Sequence, residues 1–152
     1  LLGVVGRMTA QARAQAVDLG IDVPALTPPL WLDPRRVEQV LLNLLQNALA
    51  FTPAGGRITV RARLTDATLQ IDVQDTGAGI AAADVPHIFE RFYRADRARS
   101  RPGAGLGLAI VRHLIELQGG QVAATSALGR GTTISLSLPA IPPPMAGHPA
   151  AL

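Results

Sequence analysis

Apolar and polar residues alternate in three segments of the chain, which predicts strands with one buried and one exposed face. These segments are Arg57–Leu64, Thr68–Gln74 and Thr132–Leu138, and a further short strand is predicted at Gln121–Thr125. The link Thr65-Asp66-Ala67 between the first two segments is short enough to predict a hairpin. The pattern therefore indicates a sheet that packs one face on a core.

A helix is predicted to begin at Pro34, with Asp33 as its N-cap, because aspartate is a favoured N-cap and proline at the first helical position loses no hydrogen bond. Pro53 and Gly55-Gly56 end this helix. Its apolar residues recur at helical spacing and form one wide face: Val37, Val40, Leu41, Leu44, Leu45 and Ala48.

Weaker signals mark the remaining segments. Leu1–Leu19 is predicted to be mostly helical and to end at Gly20, and Leu106–Gln118 is predicted to be a helix that ends at Gly119-Gly120. Ile21–Leu32 is interpreted as two small strands around a proline-rich turn. Because the strands do not alternate regularly with helices, we predict an α+β two-layer sandwich, with a mixed, mostly antiparallel sheet covered on one face by helices.

Composition narrows the possible chemistry. The 152 residues, 48% of them hydrophobic, suit one globular domain. No cysteine is present, which excludes disulfides and cysteine-based metal sites. Every basic residue other than histidine is an arginine, so a P-loop and lysine Schiff-base chemistry are excluded as well. No apolar run approaches the roughly 20 residues of a membrane-spanning helix.

Two asparagines, Asn43 and Asn47, lie four residues apart in the predicted helix and therefore on one face of it. Their carboxamide oxygens suit Mg²⁺, a hard cation that keeps water and phosphate oxygens in its shell. Two asparagines on a solvated face are the alternative, although asparagine is a mediocre helix former.

Asp75-Thr76-Gly77-Ala78-Gly79-Ile80 directly follows a predicted strand. A carboxylate at a strand end can accept a hydrogen bond from an exocyclic amine, and the glycines permit close backbone approach. A glycine-rich turn closed by the aspartate side chain is the alternative.

An aromatic and arginine-rich segment follows, from Phe89 to Arg101, with five arginines between positions 91 and 101. Aromatic anchors before a basic stretch suit a lid over a polyphosphate. A solvated basic loop and an RNA-binding patch remain alternatives.

A glycine run, Gly103-Ala104-Gly105-Leu106-Gly107-Leu108, opens the last predicted helix. Backbone N–H groups at a helix N-terminus favour phosphate. The run lacks the spacing of a dinucleotide-binding fingerprint and follows a loop, which argues against that fold.

In this order, the four clusters resemble the N box, first glycine box, F box and second glycine box of the ATP-binding catalytic domain of sensor histidine kinases. The resemblance runs from about Leu19 to Leu138, and Gly129-Arg130-Gly131-Thr132 resembles the family's closing Gly-Thr element. It implies the Bergerat ATP-binding fold over residues 20–139, a connecting helix at 1–19 from a dimerisation and phosphoacceptor domain, and a disordered proline-rich tail at 140–152.

The resemblance also implies ATP and Mg²⁺ as ligands, with Asn43 and Asn47 as catalytic residues and Asn47 as the Mg²⁺ ligand. Asp75 is expected to accept from the adenine amine. The residues expected to contact ATP are Asn43, Asn47, Asp75, Gly77, Gly79, Ile80, Phe92, Tyr93, Arg94, Arg99, Arg101, Gly103, Gly105, Leu106, Gly107, Leu108 and Thr132.

The expected reaction is transfer of the γ-phosphoryl group of ATP to a histidine on a separate domain, since His87, His113 and His148 do not lie in acceptor-like helices. ATP-hydrolysing relatives carry glutamate where this chain has Asn43, which cannot take a proton, so rapid hydrolysis is not expected.

The resemblance implies a response regulator downstream, no nucleic-acid partner, a monomeric fragment, a homodimeric full-length protein and a cytoplasmic location. Anchoring of the full-length protein in the cell membrane by other segments is left open. An anti-sigma-type serine kinase and a nucleotide-binding switch module of the same fold are the alternatives.

Overall fold

The computed structural model describes residues 1–24, 32–94 and 105–140. Their elements, in chain order, are α1 (Leu2–Ala14), β1 (Asp18–Asp22), α2 (Pro34–Phe51), β2 (Arg57–Thr65), β3 (Thr68–Asp75), a short 3₁₀ turn (Val85–His87), α3 (Gly107–Glu116), β4 (Gln121–Ser126) and β5 (Thr132–Pro139). Leu30 and Trp31, predicted as part of a small strand, lie outside these residues, as do Arg99, Arg101, Gly103 and the tail from 141.

The described strands form one sheet in the order β1-β2-β3-β5-β4. β1 pairs with β2 in parallel, and every other pair is antiparallel. The mixed, mostly antiparallel sheet is therefore confirmed. The predicted hairpin between β2 and β3 is confirmed too, and its two central residues, Asp66 and Ala67, have φ of 47° and 60°, as a tight hairpin turn requires.

One face of the sheet packs on the helices and the other is open. Of the strand residues predicted to face the core, Leu64 near the end of β2 is 36% exposed. The others are buried: Ile58, Val60, Ala62, Leu69, Ile71, Val73, Ile134, Leu136 and Leu138. They join buried residues of α1, α2 and α3 in a single hydrophobic cluster. Polar residues such as Arg63, Gln70 and Ser135 occupy the alternate positions. Burial of the apolar face is the main stabilising term of this two-layer arrangement.

α2 begins as predicted. The Asp33 carboxylate accepts hydrogen bonds from the backbone N–H groups of Arg35 and Arg36 at 3.0 and 3.3 Å, and Pro34 opens the helix. The predicted apolar face is buried, with Leu41 and Leu45 fully inaccessible to solvent, except for Val37 in the first turn, which is half-buried. Because α2 lies directly against the sheet, its last turn is fixed next to the end of β3.

The prediction for the first helix was wrong at its end. α1 stops at Ala14, not at Gly20, and residues 18–22 form β1. Ala16 takes a positive φ of 55° and the Val17 N–H turns back to the carbonyl of Ala12 at 2.9 Å, which ends the helix. Parallel pairing with β2 then overrides the helix-forming composition of this stretch. β1 also begins earlier than the strand predicted from Ile21.

The topology brings three chain segments to one end of the sheet. β3 ends at Asp75 in the middle of the sheet, β5 begins beside it at Thr132, and Phe51 at the end of α2 receives a hydrogen bond from Ala78. Within the described residues, no helix is long and apolar enough to cross a membrane.

Candidate functional site

A single buried carboxylate lies at the centre of this sheet end. Asp75 is 8% exposed, and its Oδ1 accepts hydrogen bonds from the backbone N–H groups of Gly77 at 2.8 Å and Thr132 at 3.3 Å. Within the described parts of the chain, its Oδ2 accepts no hydrogen bond. Oδ1 is therefore used by hydrogen bonds within the protein, and Oδ2 remains available to accept a hydrogen bond from a bound group.

Burial sets the electrostatics of Asp75. Desolvation raises the pKa of its carboxyl above the ordinary value, and the hydrogen bonds from Gly77 and Thr132 lower it in part. The folded chain consequently holds this proton at a pH where the unfolded chain has lost it. The stability that this group contributes decreases as the pH rises through the raised pKa, so the ionised carboxylate is retained at a cost in folding free energy.

Close backbone contacts shape the loop after Asp75. A Cβ at Gly77 would lie 2.4 Å from the carbonyl oxygen of Phe51, and a Cβ at Gly79, whose φ is +68°, would lie 1.9 Å from the carbonyl oxygen of Ala127. Ala78 is held on both sides, because its N–H donates to Phe51 at 3.2 Å and its carbonyl accepts from Gly129 at 2.8 Å. Only glycine fits at positions 77 and 79.

The turn between β4 and β5 closes over the other side of Asp75. Gly131 has a φ of +82°, and a Cβ there would lie 1.9 Å from the carbonyl oxygen of Asp75. Thr132, which follows it, pairs with Asp75 across the two strands. The element Gly129-Arg130-Gly131-Thr132 therefore lies directly against the carboxylate, at the place where the sequence resemblance puts the base.

Ser126 is a residue of this site that the sequence analysis missed. Its Oγ lies 2.8 Å from the Ile80 nitrogen, 2.8 Å from the Gly131 carbonyl oxygen and 2.9 Å from the Thr132 Oγ1. Its strand shows only weak alternation, with no signal that separates this serine from the other polar positions. Its partners lie 46, 5 and 6 residues away in the sequence, so only the three-dimensional pairing identifies it.

Asn43 and Asn47 lie on one face of α2, which Phe51 continues towards the loop after Asp75. Both asparagines are half-buried. The Asn43 Nδ2 is shielded from solvent and has no hydrogen-bond partner among the described residues, so the protein leaves this amide available to a bound group. Two carboxamides one turn apart are a donor set that fits Mg²⁺.

The chain enters and leaves residues 95–104 at adjacent points. The Phe92 N–H donates to the Gly105 carbonyl at 3.0 Å, and a Cβ at Gly105 would lie 2.8 Å from the Tyr93 carbonyl oxygen. Phe92 is 70% exposed and has a φ of +64°, an unusual conformation for a bulky residue that points to function rather than packing. The Tyr93 hydroxyl donates to Asp84, and this contact holds the same segment against the short 3₁₀ turn.

α3 starts immediately after the contact between Phe92 and Gly105. Gly107 is its first residue, and no side chain of the described residues caps its N-terminus, so within this part of the chain the first backbone N–H groups keep their hydrogen-bonding capacity. Leu106 and Leu108 are half-buried, and Leu108 packs on the core. Arg94 is half-buried at the start of the basic segment. Arg94, Leu106, Gly107 and Leu108, all predicted to contact the nucleotide, thus flank residues 95–104 in the sequence.

Of the residues predicted to contact the nucleotide, five are joined in one network around the carboxylate: Asp75, Gly77, Gly79, Ile80 and Thr132. The asparagines lie on α2, whose last turn contacts this network. Phe92, Tyr93 and Gly105 contact one another where the chain enters and leaves residues 95–104. Arg99, Arg101 and Gly103 lie outside the described residues.

Comparison with known families identifies the class of protein. The family model for histidine kinase-, DNA gyrase B-, and HSP90-like ATPases matches residues 32–142, and the chain belongs to this family. The match covers the buried carboxylate and both glycine segments. The predicted family resemblance and fold are thereby confirmed.

Curated relatives narrow the class to histidine kinases. The chain is 41% identical over 138 residues to the histidine protein kinase DivJ of Caulobacter vibrioides, a stretch that is 88% of this chain and 23% of DivJ. It is 43% identical over 112 residues to the sensor histidine kinase WalK of Bacillus subtilis, 71% of this chain and 18% of WalK. The chain thus spans about a fifth of the length of these relatives.

Solved structures agree with the fold. Full-length ShkA in complex with AMPPNP superimposes with a TM-score of 0.83 at 33% identity, over 93% of this chain and 29% of ShkA. The mycobacterial sensor histidine kinase MprB superimposes with a TM-score of 0.78 at 32% identity, over 93% of this chain and 96% of the MprB chain.

Gly131→Ala is expected to destabilise the chain strongly, because the new methyl group would overlap the carbonyl oxygen of Asp75. Gly129→Ala is the matched control, since its φ is +73° but nothing lies within 4 Å of the added Cβ. The control should cost only the left-handed backbone penalty of about 1–2 kcal/mol. Urea unfolding measures both variants, and equal losses would contradict the close packing around Asp75.

Proposed function

We propose that this chain is the ATP-binding catalytic domain of a sensor histidine kinase, which transfers the γ-phosphoryl group of ATP to a histidine on a separate domain. The observation that carries the proposal is the buried Asp75 carboxylate, which keeps one oxygen free within a frame of glycine-rich loops. The complex of ShkA with AMPPNP supports a nucleotide in a domain of this fold.

The base is recognised at Asp75. Its Oδ1 is occupied by two backbone N–H groups, so Oδ2 accepts from the exocyclic amine of adenine. Gly77 and Gly79 allow the backbone to approach the base, because neither carries a Cβ. A hydrogen bond to a charged acceptor contributes about 1.5–3 kcal/mol, which makes this contact a main source of base specificity.

The phosphates extend from Asp75 towards α2 and α3. The uncapped N-terminus of α3, at Gly105 to Leu108, offers backbone N–H groups to phosphate oxygens. Arg94, Arg99 and Arg101 of the arginine-rich segment are proposed to neutralise phosphate charge. Phe92, which is exposed beside Gly105, is proposed to contact the nucleotide together with Tyr93.

Asn47 is proposed to hold Mg²⁺ through its carboxamide oxygen, with Asn43 beside it near the phosphates. The ion, when bound, supplies positive charge to the β- and γ-phosphate oxygens. The unpartnered amide of Asn43 and the spacing of the two residues on α2 support this assignment. Gln46, between them in sequence, is exposed and takes no part.

In the proposed reaction, the imidazole nitrogen of the acceptor histidine attacks the γ-phosphorus, the bond to the β,γ-bridging oxygen breaks, and ADP leaves. Neither described histidine of this chain suits the acceptor role. His87 pairs with Glu90 at 2.7 Å, and His113 lies on α3 of the ATP-binding domain itself and not on a separate domain. Asn43 cannot accept a proton from water, so hydrolysis of ATP is slow. Positioning and charge neutralisation account for the catalysis.

The remaining parts of the proposal concern the longer protein. Residues 1–19 are proposed to connect to the dimerisation and phosphoacceptor domain. Ala140, predicted to begin the tail, is instead buried in the core, and its N–H donates to the Ala67 carbonyl at 2.7 Å. The full-length protein is a homodimer that passes its phosphoryl group to a response regulator in the cytoplasm. The named histidine kinases among the relatives support the kinase activity on which these features depend.

Asp75→Asn is expected to weaken ATP binding at least about tenfold, because the amide nitrogen replaces an acceptor with a donor that opposes the adenine amine. The thermal midpoint of the free chain should not fall, since the variant removes a carboxylate whose pKa is raised by burial. Calorimetric titration with a non-hydrolysable ATP analogue measures the affinity. Lowering the pH through the raised pKa of Asp75 should also weaken binding of the analogue to the wild type, because the protonated carboxyl loses its charge.

Asp72→Asn is the matched control for this experiment. Asp72 lies on the same strand three residues earlier, and so on the opposite face of the sheet. It should bind the analogue as the wild type does. Undiminished binding by Asp75→Asn would contradict the proposed base site.

Asn47→Ala is expected to abolish the gain in affinity that Mg²⁺ gives, and to leave the affinity in a metal chelator within about threefold of the wild type, since only the ligand oxygen is lost. Titrations with Mg²⁺ and with a chelator measure the two affinities. Gln46→Ala, at the exposed neighbouring position, should keep the full Mg²⁺ effect. A variant that weakens binding equally in both conditions would contradict a metal role for Asn47.

A further inference from the structure

Ser126, the last residue of β4, joins the loop after Asp75 to the start of β5 through one hydroxyl group. We propose that Ser126 is a positioning residue that fixes the hydrogen-bond polarity of Thr132, and thereby strengthens the preference of the site for a base with an exocyclic amine. The inference rests on the proposed adenine site and goes beyond it, because it assigns base selectivity to a side chain outside the recognised motifs.

Three contacts define the position of the hydroxyl. The backbone N–H of Ile80 donates to Ser126 Oγ at 2.8 Å, and Ser126 Oγ donates to the Gly131 carbonyl at 2.8 Å. The third contact, to Thr132 Oγ1 at 2.9 Å, has two possible directions by geometry alone. Ser126 also pairs with Thr132 across β4 and β5.

A count of protons settles the direction of the third contact. A hydroxyl group has one proton and two lone pairs, a backbone N–H only donates, and a carbonyl oxygen only accepts. Ser126 therefore uses its proton on Gly131 and one lone pair on Ile80, which leaves only a lone pair for Thr132. The Thr132 hydroxyl must donate to Ser126, and its own proton is no longer available to a ligand.

Two acceptors consequently belong to residues that pair across β3 and β5. Thr132 Oγ1 offers only lone pairs to a bound molecule. The second acceptor is Oδ2 of Asp75, whose other oxygen, Oδ1, accepts from the Thr132 N–H at 3.3 Å. An amine, directly or through water, matches both acceptors. A carbonyl oxygen at the same place on the base would face lone pairs without a proton between them, which a site built from buried polar groups rejects.

Replacement of Ser126 by alanine releases the proton of Thr132, which can then rotate and donate to a carbonyl oxygen. The preference for ATP over inosine triphosphate, whose base carries a carbonyl oxygen in place of the amine, should fall about threefold to tenfold, the equivalent of one neutral hydrogen bond. Ser126→Thr keeps the hydroxyl and should restore the wild-type preference. Ser135→Ala, on the open face of the sheet, is the control.

Calorimetric titration of both nucleotides into the wild type and the variants tests the inference, with thermal unfolding measured in parallel. A lower thermal midpoint with an unchanged nucleotide preference in Ser126→Ala would show a purely structural serine and overturn the proposal. If that variant does not fold, Thr132→Val tests the same acceptor with Ser126 intact, and an unchanged preference overturns the proposal again. A wild type that binds neither nucleotide would instead overturn the proposed function.

Discussion

The structure depends on the compensation of one buried charge. Asp75 ends the central strand with most of its surface removed from water, which disfavours its ionised form and raises its pKa. Two backbone N–H groups offset part of this cost, and both come from segments that must approach the strand end very closely. Gly77, Gly79 and Gly131 permit that approach, since a Cβ at each would overlap a neighbouring carbonyl oxygen. The glycines and the carboxylate are therefore one device, which holds an acceptor ready for a ligand at a cost in folding free energy.

The two-layer fold is what brings the parts of this device together. α2 packs on the sheet through its apolar face, and this packing places Phe51 against Ala78 and directs the asparagine face of the helix towards the same corner. The antiparallel pairing of β3 with β5 sets Thr132 opposite Asp75. The proposed base site thus lies at the end of the sheet, whereas the proposed phosphate contacts lie at α3 and next to residues 95–104. This division suits an enzyme that must hold its nucleotide firmly and still present the γ-phosphoryl group to another domain.

Much of this arrangement was predictable from the sequence, because it depends on local patterns. The alternation in β2, β3 and β5 and the Asp33-Pro34 start of α2 are short-range signals, and the structure follows them. The end of α1 was not predictable in the same way, since β1 exists only through its parallel pairing with β2. Ser126 was missed for a related reason: its three partners are brought to it by the β4–β5 turn and the loop after β3. Residues that carry a motif are visible in the sequence, but residues that position the motif are visible only in the fold.

A nucleotide is proposed to bind in the site around the Asp75 carboxylate, which lies between the end of β3 and the turn before β5. Titration of the ¹⁵N-labelled chain with Mg²⁺ and a non-hydrolysable ATP analogue, followed by amide chemical shifts, tests it most directly. We expect saturable shifts at Gly77, Ile80 and Thr132, with Arg63 and Ser135 on the open face unchanged. Saturable shifts confined to the open face of the sheet, or none at all, would contradict it.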